Sequence, residues 1–519
     1  MISRVLLSSF VLALSQTATA LPGPSCPPDK PMVKAGSTEI YGTINSSFPH
    51  VEQYCSIPFA LPPVGDLRFA PPQKPYHHDY INATEVPPSC PQFDQTPNYF
   101  SIHLPQYNTV ENFSEDCLYL CVYKPTGPLP KKPLPVIVWI FGGGFTIGGI
   151  DVPDTDPKFL LEKKQDFIMV KINYRVNVFG FPDTPALSQQ NPGLLDQRLA
   201  VEWVRDNIAA FGGDAEKITL LGHSAGAESI DYMPYAYPED PIAKGIILTS
   251  GSAMTPSGSQ DYSGSNFTSL AKKLNCTTTT PAAELACMRS VSWQDIETAL
   301  KGFGATRDTR LNFQPIADNI TYFSNYTERT LAKQFAPLPA IYGSNRNEAE
   351  SLIDSTTTAA PPNQTLVEID TLAGIMCPQR DMSKLRNHER VATWRFEWAG
   401  NFTNLSPLPW MGAYHQSNMP VYFDTLSLFG PSTALEIQIA NTLQDLLLAF
   451  AADPSNAATN LPKMGWPLNH YGMGSDDVLA FGANGTATQI EQGAFYQWFC
   501  NHVEAVEEGE STSVNEGVA

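Results

Sequence analysis

Residues 218–226 read Ile218-Thr219-Leu220-Leu221-Gly222-His223-Ser224-Ala225-Gly226. An apolar run leads directly into Gly-x-Ser-x-Gly, and helix formers follow. The run predicts a strand buried on both faces. The two glycines allow a tight strand-to-helix turn, which thrusts Ser224 out at the carboxyl edge of a sheet with a helix N-terminus aimed at it. A bare Gly-x-Ser-x-Gly arises often by chance; the flanking strand and helix give this one its meaning.

Short apolar runs of this kind recur along the chain: Val136 to Ile140, Phe167 to Tyr174, Lys217 to Leu221 itself, Gly245 to Leu248 and Ala340 to Tyr342. Bounded by Gly or polar residues, they predict strands of a parallel sheet. Between the second and third runs, Asp196 to Phe211 carries Ala200, Val204, Ile208 and Phe211 at helical spacing. Asp196 is read as its cap and Gly212-Gly213 as its stop. The unit is a strand, helix, strand crossover of right-handed sense. Leu435 to Ala451 predicts a second strong helix, closed by Pro454. There is no internal repeat, and Thr277 to Thr280 and Ser355 to Pro362 read as surface loops.

A serine hydroxyl attacks only when a base takes its proton, so a histidine held by a carboxylate must lie nearby in space. Where this turn carries the nucleophile, the acid and then the histidine follow in chain order. His388, His415, His470 and His502 come after a plausible acid. His388 sits among charges and His502 near a polar tail, which suits solvated surface. His470 is a credible loop residue. His415 follows Trp410-Met411-Gly412-Ala413-Tyr414 and precedes a strand-like Val421-Tyr422-Phe423, a context that suits a base. His223 reads as packing. For the acid, the strand from Ala340 ends in Gly343-Ser344-Asn345-Arg346-Asn347-Glu348-Ala349-Glu350, so Glu348 and Glu350 are both candidates on the edge that carries Ser224. Phe141-Gly142-Gly143-Gly144-Phe145 follows another strand. Its bare backbone can approach a substrate, and the amides of Gly143, Gly144 and Ala225 would make a three-donor oxyanion hole.

The 519 residues carry 52 Asp+Glu against 32 Lys+Arg, a net charge of −20. Long-range repulsion from phosphates and anionic lipid argues against nucleic-acid and acidic-membrane partners. At roughly 150 residues per domain the length allows about three domains. Parts of one site spread from Gly143 to His415 instead require a single domain, taken as 21–505 with an acidic tail at 506–519. Arg4, the apolar run Val5 to Leu14 and Ala18-Thr19-Ala20 read as a secretory signal over 1–20. No later run is long enough for a membrane anchor. Eleven Asn-x-Ser/Thr triplets fit an exported glycoprotein: Asn45, Asn82, Asn112, Asn266, Asn275, Asn319, Asn325, Asn363, Asn401, Asn404 and Asn484. Nine cysteines in such a chain imply disulfides with at least one left over. None has zinc-type spacing to histidine, so no metal is expected.

These residues, with Ile57-Pro58-Phe59-Ala60, Glu115-Asp116-Cys117-Leu118-Tyr119-Leu120, Asn173-Tyr174-Arg175-Val176 and Asn347-Glu348-Ala349, resemble the type-B carboxylesterases of the cholinesterase-like α/β-hydrolase family, in the style of its fungal secreted members. The resemblance implies an α/β-hydrolase fold: a large, mostly parallel central sheet flanked by helices, with flap and cap loops. It implies Ser224, Glu348 and His415 as the triad, Gly143, Gly144 and Ala225 as the oxyanion hole, and no cofactor. It also implies disulfides Cys90–Cys117, closing a flap, and Cys276–Cys287, then Cys377–Cys500. Cys26 would pair with Cys55, leaving Cys121 buried on a strand. Arg68, Glu115, Arg175 and Asp196 would be ion-pair and capping residues.

Two departures bear on substrate. The segment from Cys90 to Cys117 has Tyr99, Phe100 and Tyr107 but no Trp, and His223 stands where cholinesterases carry Glu. A cation–π site for quaternary ammonium is therefore not supported. The expectation is a serine carboxylic ester hydrolase acting on small neutral esters. Alternatives are a lipase for longer acylglycerols, a feruloyl or other aromatic-acid esterase, and an inactive relative serving as an adhesion module. Loops Met254 to Tyr262 and Thr306 to Asn319 would shape the pocket. Oligomeric state is not encoded in any motif.

Overall fold

The computed structural model describes residues 30–92, 103–109, 112–303, 311–353, 360–468, 477–492 and 500. From Pro31 on they form one compact unit. The proposed signal, Cys26, Tyr99, Phe100, His470, His502 and the acidic tail lie outside the described residues.

The strands are β1 (Met32–Ala35), β2 (Thr38–Tyr41), β3 (Thr43–Ile44), β4 (Val51–Pro58), β5 (Tyr80–Asn82), β6 (Tyr119–Pro125) and β7 (Leu134–Ile140). They continue with β8 (Ile168–Ile172), β9 (Gly213–His223), β10 (Gly245–Thr249), β11 (Ala340–Asn345), β12 (Thr393–Trp398), β13 (Asp477–Phe481) and β14 (Thr488–Gln492). Eleven of the described strands make one sheet in the order β14-β13-β12-β11-β10-β9-β7-β8-β6-β4-β3, while β1, β2 and β5 form a small separate sheet. The middle, from β8 through β13, is parallel, and antiparallel strands close both edges. Every residue of β8, β10, β11 and β12 is buried. That is why these strands read as unbroken apolar runs: helices cover both faces of the sheet. Such a fold is the α/β hydrolase.

Three helices matter for the site: α1 (Pro192–Asn207), α2 (Ala225–Ala236) and α3 (Ala434–Ala452). A capping box starts α3, with Thr433 Oγ1 accepting from the Glu436 amide and Glu436 Oε2 accepting from the Thr433 amide.

Some expectations are corrected. Asp196 does not cap α1, which begins four residues earlier; it lies buried inside the helix and accepts from the Arg175 backbone amide and guanidinium at 2.7–3.0 Å. The need to neutralise a buried guanidinium outweighs the residue's capping preference. Arg68 and Glu115 make a second buried fork. Val421 and Tyr422 end a short helix, Met419–Tyr422, and Phe423 packs on Trp139 at 5.0 Å between ring centres. Cys55 bonds Cys121, because β4 and β6 pair antiparallel with Tyr54 opposite Val122. Cys121 is therefore not a lone buried thiol, and Cys26 has no partner in Cys55. The pairs Cys90–Cys117, Cys276–Cys287 and Cys377–Cys500 are formed as the resemblance implied.

Candidate active site

Because β7, β9 and β11 are parallel, their carboxyl ends share one sheet edge, and the three sequence segments that carry chemistry emerge there together. At the end of β9, Ser224 has φ 55 and ψ −129, a backbone conformation that a residue with a side chain rarely adopts. Hydrogen bonds from its amide to Thr249 O (2.8 Å) and from the Glu228 amide to its carbonyl (3.0 Å) hold it there. The turn closes only because Gly226 lacks a side chain: a Cβ there would lie 2.1 Å from Ile140 O.

Glu348 follows β11 and is fully buried. One oxygen accepts from the Asn345 amide at 2.7 Å and the other meets His415 Nδ1 at 2.6 Å. With an ionised carboxylate this assigns the proton to Nδ1 and leaves Nε2 as the basic nitrogen. In the sheet, β10 lies between the strands carrying Ser224 and Glu348, so the two are about 10 Å apart at typical strand spacing. An acid at that distance reaches the serine only through an intermediary. The His415 loop supplies it. Asn347 anchors that loop, its amide donating to Ala413 O and its Oδ1 accepting from the Ala413 amide, both at 3.0 Å. Asn345 Nδ2 adds a bond to Tyr414 O at 2.6 Å. The His415 ring then lies 4.4 Å from the ring of His223, the residue before Ser224. Burial, and secondarily the like charge of His415, hold His223 well below the usual imidazole range, so it stays neutral.

Gly143 and Gly144 have φ 109 and 60, conformations open to glycine. Among the described residues, the amides of Gly143, Gly144 and Ala225 donate no hydrogen bond. They are available donors beside the serine, as an oxyanion site requires.

Two other candidates lie away from this cluster. Glu350 accepts from Gln364 at 3.4 Å, and His388 is exposed beside Glu389. His223, read from sequence as packing, is packed, but against the ring of His415. Reasoning from sequence also missed Glu228, one turn into α2. It is buried and accepts from Ser257 Oγ and from Tyr232 OH (3.2 Å), and burial pushes its carboxyl up to about 7. Its position four residues after Ser224 was the available signal.

The flap closed by Cys90–Cys117 rests on the same loop: Tyr414 OH donates to Leu405 O at 2.9 Å and accepts from Tyr107 OH at 3.1 Å, and Leu104 packs with Met411 and Tyr414.

The model of the carboxylesterase family matches residues 29–373, the span that holds the serine turn, the glycine-rich turn and Glu348. The chain belongs to the carboxylesterase family. The carboxylesterase is 42% identical over 482 residues to a chlorogenic acid esterase of Aspergillus niger, covering 88% of this chain and 92% of that one. It is 38% identical to secreted lipase 5 of Gibberella zeae, over 81% and 84% of the two chains. A solved thermophilic PNB esterase shares the fold with a TM-score of 0.73 at 25% identity, covering 89% of this chain and 97% of that one. The carboxylesterase is thus a carboxylic ester hydrolase.

Proposed function

We propose that the protein is a secreted serine esterase working through an acyl-enzyme. Ser224 attacks the ester carbonyl while His415 Nε2 takes its proton, and Glu348 orients the imidazole and stabilises the imidazolium. The amides of Gly143, Gly144 and Ala225 receive the oxyanion. His415 then protonates the departing alcohol, and water, activated by the same base, releases the acid. The observation that carries this reading is the 2.6 Å contact of Glu348 with His415, whose ring lies tilted against His223 of the serine turn. Replacing Ser224 with Ala should cut hydrolysis of a p-nitrophenyl ester by about 10³-fold or more. Residual activity within a few-fold of the parent overturns the assignment.

The likeness to a chlorogenic acid esterase supports an aromatic-acid ester as substrate, and the likeness to a secreted lipase supports longer acyl chains. A rate profile from acetyl to palmitoyl esters, with a hydroxycinnamoyl ester alongside, separates the two. Secretion is supported by the N-terminal pattern, by four disulfides and by relatives named as secreted lipases. Of the eleven acceptor asparagines, nine are exposed. Asn404 has its Nδ2 buried, and Asn266 Nδ2 is bound to Asn312 O at 2.9 Å. We therefore expect glycans at the nine and none at Asn404 or Asn266, which glycopeptide mass spectrometry reads directly.

A further inference from the structure

The residue after the base is Gln416, and it sits at φ 77. A residue with a side chain occupies that region at a free-energy cost, and it persists there only when its surroundings enforce it. The backbone direction at this point aims the imidazole. The Gln416 side chain leaves the loop and donates from Nε2 to Asp154 Oδ2 at 3.2 Å, across 262 positions of sequence. Asp154 is fully buried in the turn Pro153–Thr155, and its carbonyl accepts from Thr425 Oγ1 at 2.6 Å, so the turn grips the chain on both sides of the helix that follows His415. Burial works against charge on Asp154, and the nearby Lys171 ammonium, which favours it, donates to Thr155 Oγ1 at 3.0 Å rather than to the carboxylate. Among the described residues, Gln416 is the one side chain that donates to the Asp154 carboxylate, which the neighbouring amides of Asp154 and Thr155 also stabilise but whose Oδ1 makes no hydrogen bond. A buried, half-satisfied carboxyl destabilises a fold unless it has a task.

We propose that Asp154 is a positioning residue for the base: through Gln416 it holds the turn that directs His415 at Ser224. The inference rests on His415 being the general base. Its expected signature is a loss in kcat rather than KM, because the alignment of reacting atoms changes and substrate contacts do not.

Steady-state kinetics of the full chain on a p-nitrophenyl ester test it. Asp154→Ala should lower kcat by about tenfold or more, since small misalignments of reacting groups are costly, with KM held within about twofold. Asp154→Asn, which still offers an acceptor oxygen to Gln416, should restore most of the loss. Gln416→Leu, which deletes the donor and leaves Asp154 in place, should match Asp154→Ala and serves if the alanine variant does not fold. In a Gln416→Gly background, where the backbone no longer needs forcing, Asp154→Ala should change kcat less than about twofold. Parental kcat in Gln416→Leu overturns the proposal. So does an asparagine variant as impaired as the alanine one, which would mean that charge matters and position does not. A further tenfold loss in the glycine background also overturns it. Failure of the triad reading is separate: it shows as Ser224→Ala retaining activity.

Discussion

The rings of His223 and His415 lie 4.4 Å apart, tilted by 46°. A neutral imidazole thus occupies the place beside the base where cholinesterases have Glu. Glu348 is consequently the one carboxylate hydrogen-bonded to His415 among the described residues. Replacing His223 with Glu would bring a second negative charge within about 4–6 Å, enough to favour the imidazolium by about one pH unit or more. The acid limb of the kcat/KM profile should move to higher pH by that amount. An unmoved limb would mean that residue 223 does not sense the base.

Glu348→Gln preserves volume but offers the imidazole an amide that can present its NH2 and stabilise the wrong tautomer. The loss in kcat should be about 10³–10⁴-fold, as expected for the acid of a Ser-His-acid triad, with little change in KM. Steady-state kinetics against the parent check it.

Gly143→Ala tests the oxyanion donors. A Cβ at this position would lie 2.2 Å from Ile147 O, and φ 109 is closed to alanine. The turn must shift, carrying the Gly143 and Gly144 amides out of line, and kcat should fall by about 10²–10³-fold, the typical effect of one lost donor. Unchanged thermal stability alongside that loss would separate the chemical effect from unfolding.

Arg175→Ala leaves the Asp196 carboxylate buried without its guanidinium partner. Removing one member of a buried pair costs about 3–5 kcal/mol, so the variant should unfold at markedly lower denaturant. Urea titration followed by fluorescence reads it.

Stability should fall as pH rises from about 4 to 8. Burial pushes Asp154 and Glu228 up to about 7 and Asp183 up to about 8, against ordinary values of 3.8, 4.5 and 3.8. In that window the unfolded chain has lost these protons while the folded chain keeps them, so deprotonation favours unfolding. The stabilisation is fully present below the unfolded values and lost as pH passes the folded ones. Thermal unfolding across pH 4.5 to 8.5 checks the slope, and Glu228→Gln should flatten it.

Much of this molecule was legible in local pattern. The apolar runs around Val136, Ile168 and Ile246 announce buried parallel strands, and Gly222 to Gly226 announces the serine turn, because each depends on residues that are neighbours in the chain. The acid was narrowed to Glu348 or Glu350 by its place past a strand, and family resemblance chose between them. In the folded chain the two differ in direction: Glu348 points at His415, and Glu350 at Gln364.

Contacts between distant segments left no local trace. Cys55 meets Cys121 because two antiparallel strands happen to register there, and spacing carries no sign of that pairing. Asp196 has the residue type and place of a cap, and the ion-pair role that the resemblance implied for it and Arg175 is the one it fills. The contact of Asp154 with Gln416 arises only when a turn and a loop 262 positions apart pack together. The sequence by itself determined the fold class, the nucleophile turn and the kind of chemistry, since these follow from periodicity and backbone sterics within short windows. Tertiary structure alone decided that Cys55 bonds Cys121, that Asp196 pairs inside its helix rather than capping it, and that Gln416 reaches Asp154, because each depends on segments distant in the chain.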